Sequence, residues 1–125
     1  MLTRAIARNV GHPPRKVRRV TNAIRGRRVS EALAILKFLP NMPAREVYTV
    51  LASAAANAEN NYSMDPDELW VTNAIADEGS KIPRFRARPH GRASRILRRS
   101  THITVYVSDD PTEIPRKARV NARRH

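Results

Sequence analysis

The sequence contains no cysteine. That excludes a disulfide scaffold, a cysteine nucleophile, a CxxC redox pair and any zinc site built on thiolates. Glycine is nearly as scarce, and the four present, at positions 11, 26, 79 and 91, fit neither a phosphate-cradling P-loop nor a dinucleotide fingerprint. Aromatic residues make up only 5% of the chain, so the core has to be built from the Ala, Val, Ile and Leu within its 41% hydrophobic content. No apolar run approaches the ~18 residues of a membrane span, and Met1, Leu2, Thr3 and Arg4 lack the apolar block of a secretory signal. The expectation is a soluble protein that stays inside the cell. The histidines, His12, His90, His102 and His125, lie in separate segments with no i, i+4 pair. Asp65, Asp67 and Glu68 lack the spacing and glycine of a calcium loop and read as a solvated turn. Ser53 and Ser94 have no base at a recognisable spacing. No metal, no cofactor and no catalytic residue is therefore assigned, and no enzymatic activity is expected.

What the chain has is positive charge, in excess and in clusters. Its 125 residues fit a single domain, and 24 Lys and Arg against 11 Asp and Glu leave a net charge of +13. An imbalance of that size points to a polyanionic partner. Residues 1–28 hold nine bases (Arg4, Arg8, Arg15, Lys16, Arg18, Arg19, Arg25, Arg27 and Arg28) and no acid. Residues 29–80 reverse the balance, with only Lys37 and Arg45 against eight acids. From 81 to 99 there are eight more bases, Lys81, Arg84, Arg86, Arg88, Arg92, Arg95, Arg98 and Arg99, again without an acid. A single charged stretch is usually no more than a solvated face. Two acid-free zones are different, because neighbouring guanidinium groups repel one another unless an external anion compensates them. The bases are mostly Arg, whose fork suits phosphate and whose plane stacks on bases.

Periodicity divides the chain into elements. Residues 3–10 alternate loosely and predict a short edge strand. Pro13 and Pro14 open a helix over 13–25 with Val17, Val20, Thr21 and Ile24 on one stripe, and Gly26 is placed to end it in a left-handed conformation. Ser30 is the expected N-cap of a short second helix, with Ala32, Leu33, Ile35, Leu36 and Leu39 as its apolar face and Pro40 as its stop. A third helix is predicted from Pro43 to about Asn60, burying Val47, Val50, Leu51, Ala54, Ala55 and Ala58. After a polar break, residues 69–76 read as a strand with Trp70 as its aromatic packing anchor, and residues 102–108 as a strand turning Ile103, Val105 and Val107 to one side. The second basic zone between them, centred on Pro89, His90 and Gly91, reads as a long hairpin too poor in apolar residues to order itself. The segment 109–125 has a basic end and no apolar period, and is expected to be an extended tail.

Within the second zone the series Arg84, Phe85, Arg86, Arg88, Gly91, Arg92, Ala93, Arg95, Ile96 runs on to Thr101, His102, Ile103, Thr104 and Val105. It resembles the signature of the bacterial-type ribosomal protein twenty-two of the large subunit, a tunnel-hairpin family. The likeness covers roughly residues 4–108 and includes Pro14, Lys16, Val17 and Arg18, the Ile24, Arg25, Gly26 ending, and Ala55, Ala56, Asn57, Ala58, Glu59 and Asn60. The tip departs from the family's common Pro-Arg-Ala order and reads Ala87, Arg88, Pro89.

The resemblance implies an α+β fold: three helices packed on a small antiparallel sheet with a long protruding β-hairpin. One rRNA-binding domain would span 1–108, with the hairpin at about 81–99, followed by the tail 109–125. It further implies a structural constituent of the large ribosomal subunit that binds 23S-type rRNA, supports subunit assembly and lines the nascent-polypeptide exit tunnel with its hairpin. The expected partners are that rRNA, neighbouring large-subunit proteins and, transiently, the nascent peptide, with no homo-oligomer. The expected location is the ribosome of the cytoplasm or of an organelle. The candidate rRNA contacts are Arg15, Lys16, Arg18, Arg19, Arg25, Arg27, Arg28, Lys81, Arg84, Arg86, Arg88, Arg92, Arg95, Arg98 and Arg99. The candidate hairpin tip is Arg86, Ala87, Arg88, Pro89, His90, Gly91 and Arg92. Two rivals explain less. A DNA-binding regulator with the 13–25 helix in a major groove accounts for one basic zone only, and a small hydrolase lacks a recognisable site.

Overall fold

The computed structural model describes residues 2–87, 91, 93–110 and 114, and over 81–87 and 93–98 only the course of the backbone. Three helices, α1 (Pro14–Ile24), α2 (Val29–Phe38) and α3 (Ala44–Tyr62), accompany three strands, β1 (Leu2–Val10), β2 (Trp70–Ala87) and β3 (Ala93–Ser108). The strands form one antiparallel sheet in the order β1-β3-β2. The expected α+β architecture is therefore present.

One face of the sheet is apolar and carries the helices. On β3 the alternation puts Ile103, Val105 and Val107 into the core at 0% exposure, while His102, Thr104 and Tyr106 stay half-buried on the other side. β2 meets that face through a bulge. Val71 pairs with Val107, but one extra residue precedes the next pairs, Ala74 with Val105 and Ala76 with Ile103. Strict alternation from Val71 would have turned polar Asn73 inward; the bulge turns Ala74 and Ala76 inward instead. The hydroxyl of buried Thr72 is satisfied by donating to the Tyr106 carbonyl at 3.2 Å.

The helices follow their apolar stripes. Val17, Val20, Thr21 and Ile24 of α1 are all buried, as the 100° spacing requires. Each fully buried Val or Ile contributes about 1.5–3 kcal/mol of transfer free energy. Gly26 does take the left-handed conformation, φ 76. In α3, Val47, Val50, Leu51, Ala54 and Ala58 are buried and Ala55 is half-buried; the helix runs two residues past Asn60 and closes on left-handed Ser63.

Two expectations need correction. α2 starts at Val29, so its N-cap is Arg28 rather than Ser30, and no side chain caps it. Its start is set from outside the helix: Arg28 forms an isolated bridge to Trp70, and the Val29 N–H donates to the Leu69 carbonyl at 3.0 Å. Trp70 is half-buried rather than a core anchor, and the buried neighbour is Leu69 at 1% exposure. The stop at Pro40 is as expected, with Leu39 extended before the proline. In the segment expected to be an extended tail, Ile114 is buried at 2% exposure; the rest of 111–125 lies outside the described residues.

β2 and β3 continue beyond the body. β1 pairs with β3 only as far as Val10 with Thr101, whereas β2 and β3 stay in register from Lys81 with Arg99 to Ala87 with Ala93. Beyond Thr101 the sheet is therefore a two-stranded arm.

Candidate nucleic-acid interface

The first basic zone is built on α1 and the segment that follows it. Because the buried stripe of α1 occupies one side, Arg15, Lys16, Arg18 and Arg19 are turned outward and are exposed. Two of the zone's arginines also dock the helix. β2 is an edge strand on this side, and its outward carbonyls need donors. The Arg25 Nε donates to the Ala74 carbonyl at 2.8 Å and the Arg18 Nε to the Ala76 carbonyl at 3.2 Å. The Gly26 N–H donates to the Val71 carbonyl, and the Val71 N–H returns a bond to the Arg27 carbonyl, both at 2.8 Å. The edge is thereby covered by a charged belt.

Arg27 and Arg28 are also held. Arg27 donates through Nε to the Ala23 carbonyl at 2.8 Å and pairs through Nη1 with Glu31 Oε1 at 2.7 Å. The Arg28 guanidinium lies 4.8 Å from the centre of the Trp70 ring, a cation–π contact. Sequence reasoning placed these two arginines in the zone but missed their partners, because Trp70 meets Arg28 only through the tertiary bridge.

The second zone begins at the root of the arm, where three chain segments are tied together. β1 and β2 each carry one extra residue there, between Ala7 and Val10 and between Glu78 and Lys81. Asn9 adopts φ 55, a conformation that a short polar side chain tolerates. Its N–H donates to His102 Nδ1 at 3.1 Å, and its Oδ1 accepts from the Ser80 hydroxyl at 2.8 Å. The Ser100 hydroxyl donates to the Ser80 carbonyl, and buried Thr101 donates to the His12 carbonyl, both at 2.6 Å. Gly79 admits this crossing, since a Cβ there would lie 2.6 Å from Ser100 Oγ. The His12 contact brings the start of α1 to the same level. Arg15 and Lys16 follow His12 by three and four residues, and at the arm's root Arg99 is exposed and pairs with Lys81.

The structure thus ties the start of α1 to the root of the arm at one end of the body. Along the arm the backbone register sets Ile82 against Arg98, Arg84 against Ile96, Phe85 against Arg95 and Arg86 against Ser94. Arg88, Pro89, His90 and Arg92 of the expected tip lie outside the described residues; Ala87 ends β2, and Gly91 has φ 73. The sequence reading did not select Arg4 and Arg8, which are exposed on β1 and whose signal was already in the charge count. Among the described residues no group of His, Asp or Glu is arranged to hold a metal ion, and no helix is long and apolar enough to cross a membrane.

Fold and charge together define a class: a small, strongly basic α+β domain that extends two strands of its sheet into a basic arm. The family follows from the sequence as a whole. Residues 5–108 match the family model described as ribosomal protein L22p/L17e, and the chain belongs to that family. It is accordingly a structural protein of the large ribosomal subunit that binds rRNA, and its partners are rRNA and other ribosomal proteins.

Proposed function

We propose that the chain binds 23S-type rRNA through two surfaces, the outward side of α1 with the belt that follows it and the arm over 81–99, and that the arm lines the exit tunnel. The bases of the first surface are Arg15, Lys16, Arg18, Arg19, Arg25, Arg27 and Arg28; those of the second are Lys81, Arg84, Arg86, Arg88, Arg92, Arg95, Arg98 and Arg99. One observation supports the reading: the segment leading into α1, whose first turns carry exposed cations, is bonded to the root of an arm that contains no acid over 81–99. RNA segments converging there would be neutralised from both sides, which supports subunit assembly. The body supplies a rigid mount, and the arm gains its order from the RNA it threads. The tip, residues 86–92, would then face the nascent peptide.

The test is cross-linking in translating ribosomes, with a photoreactive residue placed at Arg86 or Gly91. Adducts to both rRNA and nascent chain are expected. Adducts to neither, in ribosomes that contain the protein, would overturn the tunnel assignment.

A further inference from the structure

Apart from the outward side of α1 and the arm, the end of α2, the loop after it and the start of α3 border a groove of about 520 Å3. Its volume falls in the range of small-ligand sites, roughly 300–1,000 Å3. Leu39, Met42 and Tyr48 give it apolar walls, and Lys37 and Arg45 line it as well. Met42 is 79% exposed and Tyr48 38%, and Phe38, adjacent in the chain to Lys37, is 82% exposed. Large apolar side chains left open in this way mark a surface that something else covers.

The charge says what kind of partner that is. Residues 29–80 carry eight acids and only two bases, and both bases, Lys37 and Arg45, line this one groove. The one acid among the lining residues, Glu46, has its buried Oε2 3.6 Å from Nε2 of His12, which also lines the groove, so the two bases outnumber the acid there. The groove reaches the segment that leads into α1, since His12 lines it. A flat π surface beside two cations, in a protein that binds rRNA, matches an unpaired nucleotide: the base stacks on the ring while the cations meet the flanking phosphates. A purely apolar protein partner would leave the two cations unexplained.

We propose that this groove binds a base from a single-stranded rRNA segment, with Tyr48 as the stacking ring and Lys37 and Arg45 as the phosphate contacts. The proposal rests on the rRNA-binding reading and adds a third, base-stacking contact to its two electrostatic ones.

The test uses the full chain and two probes of equal length, a short single-stranded oligoadenylate and an abasic ribose-phosphate strand. Tyr48→Ala is expected to weaken oligoadenylate binding by about 5- to 150-fold, equivalent to about 1–3 kcal/mol for one stacked base, and to leave the abasic probe unaffected. Tyr48→Trp should restore the preference. Lys37→Ala with Arg45→Ala should weaken both probes and lower the salt slope by about 0.7 per cation. Tyr48→Ala changing both probes alike, or neither, overturns the proposal. A Tyr48→Ala chain that keeps its oligoadenylate affinity but no longer enters large subunits overturns it too, in favour of a protein partner. A companion variant, Arg15→Ala with Arg19→Ala, separates the two readings: loss of RNA binding there with no effect at Tyr48 removes the groove alone, and no RNA binding by the wild-type chain removes both.

Discussion

At the scale of single residues, the arginines of the first zone do more than one kind of work. Arg25 serves the fold directly, because its Nε satisfies an outward carbonyl of the edge strand, Ala74, at 2.8 Å. Arg15 and Arg19 are exposed. Arg25→Ala is therefore expected to cost about 1–2 kcal/mol of stability, the worth of a hydrogen bond from a charged donor reduced by partial exposure, read as a lower denaturant midpoint at unchanged m-value. Arg15→Ala with Arg19→Ala should leave that midpoint in place and weaken RNA binding. Equal loss of stability in both variants would show that the helix's outward charges also hold the fold. Gly79 offers a second residue-scale test. A methyl group there meets Ser100 Oγ at 2.6 Å and the Ser100 backbone carbon at 3.2 Å. Gly79→Ala should thus destabilise by about 1–3 kcal/mol, as overpacking does, and Ser100→Ala should recover part of the loss in a double-mutant cycle. Full additivity of the two substitutions would contradict the clash.

Among the elements, those set by their own periodicity were legible and those set by a neighbour were not. The stripe Val17, Val20, Thr21, Ile24 announces α1 and its buried side, and Ile103, Val105 and Val107 announce β3 and its face. Ser30 misled because a good capping residue decides a helix start only when nothing stronger competes; here the bridge from Arg28 to Trp70 and the bond from Val29 to Leu69 fix it two residues earlier. The bulge in β2 was equally hidden, since Thr72 and Asn73 look like ordinary strand positions until Val71 and Ala74 both have to face the core. The charge of the interface was legible in the acid-free runs, but the groove at Tyr48 was not, because Lys37, Arg45 and Tyr48 come from two helices brought together by a loop. The Ala-rich half of α3 permits a direct prediction. Ala54 is 0% exposed and packs in the core, so Ala54→Leu should overpack it at about 1–3 kcal/mol, seen as a lower Tm. An unchanged Tm would mean that the helix sits farther from the sheet than the structure has it. The arm calls for the opposite expectation. The buried cluster draws its residues from positions 17–76 and 103–107, and β1 stops pairing at Thr101. Replacing 84–97 by a short turn should therefore keep one cooperative unfolding transition with nearly the original midpoint. Loss of that transition would show that arm and body fold as one unit.

For the whole molecule, the net charge of +13 is an electrostatic cost to the free protein and a driving force once phosphate is present. The fold resolves the conflict by geometry: the acid-leaning segment 29–80 supplies α2 and α3 and much of the core, while the two basic zones supply α1, the outer belt and the arm. Membership in the L22p/L17e family names the polyanion as rRNA. The most direct measurement of the account is the salt dependence of binding to large-subunit rRNA by the wild-type chain and by the variant lacking Arg15, Lys16 and Arg19. If six to ten phosphates are neutralised, wild-type affinity should fall ~10³- to 10⁵-fold between about 50 and 200 mM salt on a duplex-DNA scale, and the variant's log–log slope should be shallower by roughly two to three. A flat wild-type response, or identical slopes for the two proteins, would contradict phosphate neutralisation by the first basic surface.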